Sequence, residues 1–335
     1  MIKKIIIILI LVFISTVLSV CIGSIFISPK EIIYIFVYKI FNIELINIDK
    51  INSDIISIRF KHSVLSLFAG ASLSMTGAVI QSVLRNPLAS AYNLGISSGA
   101  GLGASLLIVM QLSFNRYFFI GISILFAFIT ILLILFISDK IDKYTSNNSI
   151  ILAGIVISLF LSSVMSFLSY MFPKYSNQII LWQLGSLSVR NKLDILIIIF
   201  ITLIFLLILM KYSNVLDIMT FGDDASLSLG VDVKNMRIFF ILISSFITAV
   251  LTAFTGIIGF VDLVSPHIAR KIFGAKHTVV LPMSALIGGL ILNVSDIFSR
   301  IIVSGSNIPI GIVTAVIGAP FFLYLFMSGG SVKRI

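Results

Sequence analysis

Long apolar runs recur along the whole chain, at 5–27, 60–84, 93–110, 117–138, 149–172, 193–211, 236–256, 278–297 and 308–327. A helix needs roughly 20 apolar residues to cross the hydrocarbon core of a bilayer. In lipid every backbone polar group must be bonded internally, and a helix does this for itself. A membrane barrel would instead show alternating segments of about 10 residues, and these runs do not alternate. The expectation is an all-α integral membrane protein. Composition agrees: 59% of residues are hydrophobic and only 11% charged, against about 25% charged in soluble domains. The net charge of +10 therefore reads as basic loops facing an anionic leaflet of membrane lipid, with no nucleic acid implied. A single cysteine, Cys21, leaves no internal disulfide framework.

The N-terminal run imitates a signal peptide, but it continues to Ile27 and Val20 precedes Cys21 where a lipoprotein box wants a small residue. It is read as a retained first span. Lys3 and Lys4 place the N-terminus in the cytoplasm, and Lys333 and Arg334 do the same for the C-terminus. Two inner termini require an even number of crossings, so one is missing from the runs above. The basic cluster Arg270, Lys271, Lys276 and His277 puts the return between 257 and 269, as a short helix buried among neighbours with irregular backbone at its start. The expected architecture is about ten transmembrane helices in one domain over residues 1–335. The outer loop 28–59 is expected to carry a short helix near 29–41. Small-residue ridges, Gly70–Ser74–Ala78–Ser82, Gly95–Gly99–Gly103 and Gly311–Ala315–Ala319, predict close helix packing.

No G-x-x-x-x-G-K-[ST] or H-E-x-x-H occurs, and His62, His267 and His277 are scattered. The chain is not expected to be an enzyme or to hold a cofactor. Asp262 and Asp296 are the acids near membrane depth, where a charge is costly. Asp296 has Arg300 four residues on, a favourable helical pair; Asp262 has no evident partner. The stretch MTFGDDASLSLGVDV, 219–233, interrupts the apolar pattern between two spans. Asp223 and Asp224 begin a short helical stretch, where acids suit the positive helix end, and Gly222 and Gly230 bracket it.

Several stretches together carry a resemblance. They are GAVIQSVLRNPLASAYNLGISSGAGLG at 77–103, WQLGSL at 182–187, GIIGFVDLVSPHIAR at 256–270, PIGIVTAVIGAP at 309–320 and the FGDDASLSLGV segment. In this order they resemble the permease family of ATP-binding-cassette importers for iron–siderophores, haem and vitamin B12, the FecCD/BtuC-like or type II importer permeases. Arg85, Asn86, Pro87, Pro266, His267, Arg270, Pro309 and Gly311 are the motif residues. The resemblance implies a bacterial cytoplasmic-membrane permease that pairs with a second permease subunit, a homodimer or a close paralogue. It implies two cytoplasmic ATPase subunits that bind ATP and Mg, and an extracytoplasmic substrate-binding protein. It makes 212–235 the cytoplasmic coupling loop, two short helices entering the ATPase, with Gly222, Asp223, Asp224, Ala225, Leu229 and Gly230 as determinants.

It also implies docking of the binding protein through outer basic residues. The family's R-x-P-R before the second span stands here as Arg59, Phe60, Lys61 and His62, and Arg300 matches a further docking position. The chain departs from the pattern where Asp262 replaces Gly, Ser265 Pro, Asn307 Glu and Ala91 Pro. The alternative to an importer permease is a proton-coupled secondary carrier using Asp262. A third class is a structural or signalling membrane subunit. The residues do not decide among the ligands.

Overall fold

The computed structural model describes residues 2–23, 25, 27–34, 50–112, 115–141, 147–187, 191–303 and 306–328. The described helices are α1 (Ile2–Cys21), α2 (Lys50–Val83), α3 (Ile96–Val109), α4 (Arg116–Ile141), α5 (Asn147–Met171), α6 (Pro173–Gln183), α7 (Lys192–Lys211), α8 (Ser213–Met219), α9 (Asp223–Ser228), α10 (Val233–Thr255), α11 (Val261–Phe273), α12 (His277–Ile301) and α13 (Ile310–Ser328). Seven of them, α1, α2, α4, α5, α7, α10 and α12, are long and apolar enough to cross a membrane. The apolar α3 and α13 and the short α11 lie among them.

A helix stands at each of the nine apolar runs, with shifted ends, and seven of these have the length and apolar character of a span. The largest shift is in α2, which begins at Lys50 rather than near 60. Its first turns are polar, so hydropathy alone hides them. Residues 29–34 are helical, while the rest of the helix expected at 29–41 falls outside the described residues, as do Lys333 and Arg334. Hydropathy also does not reveal α6, a polar helix that starts on Pro173, a residue whose missing N–H costs nothing at a first helical position.

The expected return is α11. It has 13 residues, follows the irregular 256–260 and carries the chain to the basic cluster. Its apolar residues Val261, Val264 and Ala269 are buried against the neighbouring helices.

At the centre stands α2, which packs against α12, α11, α10, α7 and α1. Its small-residue ridge makes this contact possible: a Cβ at Gly70 would lie 2.3 Å from the Gly288 carbonyl oxygen of α12. The Gly95–Gly99–Gly103 ridge is covered by Thr130 and Phe126 of α4. By contrast α5 exposes Leu152, Leu159, Phe160 and Phe167.

Two ends of the bundle are defined by contacts. Lys4 donates to the Ile272 carbonyl at 3.1 Å, and Lys234 pairs with Asp139 at 2.7 Å; α8 and α9 lie at this end. The ends of α1, α10 and α12 and the start of α2 lie at the other.

Candidate functional site

At the first end the chain between α7 and α10 folds into two short helices, α8 and α9. They are joined at Gly222, whose φ of 112° is a backbone conformation that side chains with a Cβ rarely adopt. Gly230, with φ 79°, turns the chain out of α9. Asp232 then caps α10, accepting from the Asn235 backbone N–H at 3.2 Å.

Asp223 is the fastener. Its Oδ1 accepts from the Arg85 guanidinium at 2.7 Å, and both its oxygens lie 2.8 Å from the Arg237 guanidinium. Arg237 is almost fully buried in α10, and Arg85 leaves the turn after α2. Charge-assisted bonds of this kind are about twice as strong as neutral ones. Arg85 belongs to the R-N-P motif, in which Asn86 Oδ1 accepts from the Leu88 N–H at 2.8 Å and closes a tight turn, with Pro87 exposed.

On the surface of this fastened segment Phe221, Leu227 and Leu229 are 75%, 59% and 63% exposed. They are interleaved with Asp224, Ser228 and Gly230, all exposed; Ala225 is partly covered. Three exposed large apolar side chains on one polar, tightly tied segment form the kind of patch that marks an interaction surface.

Beneath the segment lies a buried polar joint. A Cβ at Gly77 would stand 1.8 Å from the Asp262 carbonyl oxygen, so only glycine lets α2 and α11 cross this closely. Pro266 has no N–H, which leaves the Asp262 carbonyl without its helical donor four residues on. Gln81 Nε2 donates to that carbonyl at 3.3 Å. The same Gln81 accepts from Arg270 at 2.5 Å. Arg270 also donates to the Ala78 carbonyl and to Ser82 Oγ, both at 3.0 Å. His267 is half-buried on α11, outside this joint.

The Asp262 carboxyl is buried in the first turn of α11, beside the Ser90 hydroxyl and the N–H groups of Ala91, Asp262 and Leu263. A helix start favours an acid, which gives this residue a local support that the sequence alone does not show. Among the described residues its Oδ1 has no hydrogen-bond partner.

At the opposite end the two arginines expected on the outer face are placed otherwise. Arg59 is 6% and Arg300 8% exposed. Arg59 donates to the carbonyls of Val20, Cys21 and Ile25 at 3.2, 3.0 and 2.6 Å. Arg300 donates to the Ser19 carbonyl at 2.9 Å and to the Ser19 hydroxyl at 2.8 Å, and it pairs with Asp296 at 2.9 Å. The Asp296–Arg300 pair read from the spacing is thus formed. Both guanidiniums cap the orphan carbonyls at the end of α1, so in this chain they are not free outer cations. The extension of α2 explains the difference: it puts Arg59, Lys61 and His62 inside a helix rather than in a loop. Lys61 and His62 remain partly exposed, with His62 Nδ1 3.9 Å from Asp296.

Beside them is a cleft of about 230 Å³ lined by His62, Asp296, Arg300, Asn307 and Pro309 among others. Its floor joins three of the sequence motifs. Ser186 N–H donates to the Thr255 carbonyl at 2.7 Å, and Gly311 N–H donates to the Leu184 carbonyl at 2.9 Å.

Sequence reading missed Gln81, Ser82 and Arg237 as members of these networks. Gln81 and Ser82 sit inside a motif quoted above. Arg237 becomes informative only once α9 and α10 are brought to one end.

A family model described as the FecCD transport family matches residues 9–328. The Fe(3+)-citrate import system permease protein YfmE of Bacillus subtilis (strain 168) is 34% identical over 321 residues, 96% of this chain and 93% of that one. The cobalamin import system permease protein BtuC of Halobacterium salinarum is 33% identical over 272 residues, 80% of this chain and 72% of that one. Among solved structures, a chain described as a metal-chelate type ABC transporter in an inward-facing conformation superposes with a TM-score of 0.84 at 28% identity. It covers 98% of this chain and 100% of that one.

Proposed function

The chain belongs to the FecCD transport family and is thereby a permease subunit of an ABC importer; from that premise we propose that it moves a metal chelate, driven by ATPase subunits that dock on α8–α9. The observation that carries the reading is the exposed apolar group Phe221, Leu227 and Leu229 on a segment fastened by Asp223 to Arg85 and Arg237. A rigid handle transmits displacement, whereas a loose one absorbs it. Gly222, Asp223, Asp224, Ala225, Leu229 and Gly230 are the determinants of that handle. ATP and Mg belong to the ATPase and not to this chain.

The reading puts the α8–α9 end and both termini in the cytoplasm. A second permease chain, identical or closely similar, covers the apolar face left open on α5. At the opposite end an extracytoplasmic binding protein delivers the cargo, with Lys61 and His62 as its accessible basic contacts and Arg59 and Arg300 holding the helix end beneath them. The cargo is an iron–siderophore complex, haem or cobalamin, with iron–siderophore preferred.

The test is reversal of both acids, Asp223→Lys with Asp224→Lys, in the complete complex. The expected result is a loss of ATPase binding or of ATP-driven uptake by about tenfold or more. Unchanged assembly together with unchanged uptake removes α8–α9 as the handle. The second reading, a proton-coupled carrier, is favoured by the unpartnered Oδ1 of buried Asp262. It requires uptake under a pH gradient without ATP, lost in Asp262→Asn.

A further inference from the structure

A second polar chain leaves the same segment and has no part in holding α9. It starts at Asp217 in α8. Asp217 Oδ1 accepts from the His277 backbone N–H at 2.9 Å and lies 2.6 Å from His277 Nδ1. On the other face of the ring, His277 Nε2 lies 2.6 Å from Ser82 Oγ of α2. Ser82 Oγ accepts from Arg270 of α11 at 3.0 Å, and Arg270 reaches Gln81, which holds the Asp262 carbonyl at the start of α11. Four helices are thus joined in one line, and His277 and Ser82 within it are 1% and 5% exposed.

We propose that Asp217, His277 and Ser82 are positioning residues that carry displacement of α8 into the short helix α11. The proposal rests on the reading of α8–α9 as the ATPase handle. Its physical basis is the proton inventory of the line. A carboxylate can only accept, so Asp217 holds the proton on His277 Nδ1 and leaves Nε2 as an acceptor. Ser82 then turns its O–H to Nε2. The Ser82 hydroxyl has a second acceptor, the Ala78 carbonyl at 2.8 Å. That carbonyl is also served by Arg270 at 3.0 Å, so Ser82 can turn either way without orphaning it. The line therefore has two discrete arrangements, one with every group bonded and one in which the Ser82 O–H turns to the Ala78 carbonyl and the buried Nε2 loses its donor, and the position of Asp217 selects between them. Coupling across a packed core requires such a two-state element. Burial of His277 and Ser82 makes their link directional, because a bond lost there leaves a polar group unsatisfied.

The two tethers of the segment have different roles. Asp223 binds α9 to α10 and to the turn after α2, and it fixes the handle's shape. Asp217 binds α8 to α12, α2 and α11, and it passes the handle's movement inward.

The experiment uses the whole complex, the permease with its ATPase, in lipid vesicles. Ser228→Cys, exposed on α9, reports by crosslinking whether the ATPase sits on the handle. In a separate preparation Lys271→Cys, exposed on α11, reports movement through its maleimide reaction rate with and without ATP and Mg²⁺. In the otherwise unsubstituted complex ATP is expected to change that rate by about tenfold, within the usual range of coupling between sites. Asp217→Ala and Ser82→Ala should each abolish the ATP effect while the crosslink still forms. Asp217→Asn keeps an acceptor for both His277 N–H groups and should retain it, which a requirement for the charge alone does not predict. An ATP effect that persists in both alanine variants with the crosslink intact overturns the relay and leaves the handle standing. So does an unsubstituted complex that crosslinks but shows no ATP effect. Absence of the crosslink in the unsubstituted complex overturns the handle and the relay with it. Should Asp217→Ala fail to assemble, Ser82→Ala, which leaves α8 untouched, decides alone.

Discussion

Arg59 is a long cation at the start of a membrane helix, and in sequence it looks like a docking residue. Its guanidinium instead serves three carbonyls around the end of α1. Removing it leaves those carbonyls orphaned in a buried site, at a cost of about 1–3 kcal/mol for each unsatisfied group. Arg59→Ala is therefore expected to lower the thermal stability of the isolated chain in detergent, with no binding protein present. A residue that only docks a partner leaves that stability unchanged. The same scale shows what could be read in advance. Asp296–Arg300 was legible because both partners lie on one helix, four residues apart. Arg59 was not, because its partners are backbone atoms of another helix and carry no sequence signature. Gln81 illustrates the intermediate case. It lies in a conspicuous motif, yet its purpose depends on a carbonyl 181 positions away.

The short helix α11 was legible for a topological reason: parity of crossings and the basic cluster at 270–277 forced a return. How so short a helix holds its place was not legible. Pro266 frees the Asp262 carbonyl, Gln81 takes it up, and Gly77 lets the two backbones close. This argument has a quantitative consequence. Gln81→Ala should destabilise the protein by about 1–3 kcal/mol by leaving the carbonyl unsatisfied. In a Pro266→Ala background residue 266 regains its N–H and can bond the Asp262 carbonyl within the helix. The cost of Gln81→Ala should then be smaller, and thermal melts of the two single variants and the double variant measure the coupling. Equal costs in both backgrounds contradict the joint as described. The α8–α9 segment was also legible in outline, since Gly222 and Gly230 mark its turns. Its fasteners were not, because Arg85 and Arg237 reach Asp223 from opposite sides of it in the chain.

At the scale of the molecule, two ends with different chemistry are joined by α2, α11 and α12. One end offers a fastened handle with bare apolar side chains. The other offers a cleft where WQLGSL, the residues at 255–257 and P-I-G meet. The number of apolar runs announced a membrane bundle, and the ordered motifs announced the family. Neither could give the cargo, because the same family includes relatives named for iron–citrate and for cobalamin import. Family membership makes the chain the permease of an importer, and the central claim is that its power arrives through α8–α9. The most direct test is uptake by vesicles holding the permease and its ATPase, supplied with the cargo-loaded binding protein, with ATP as the only energy source. The account predicts uptake that stops when ATP hydrolysis is blocked and falls by about tenfold or more when Asp223 and Asp224 are both reversed to lysine. Uptake that continues without hydrolysis, runs on a pH gradient and disappears in Asp262→Asn contradicts it.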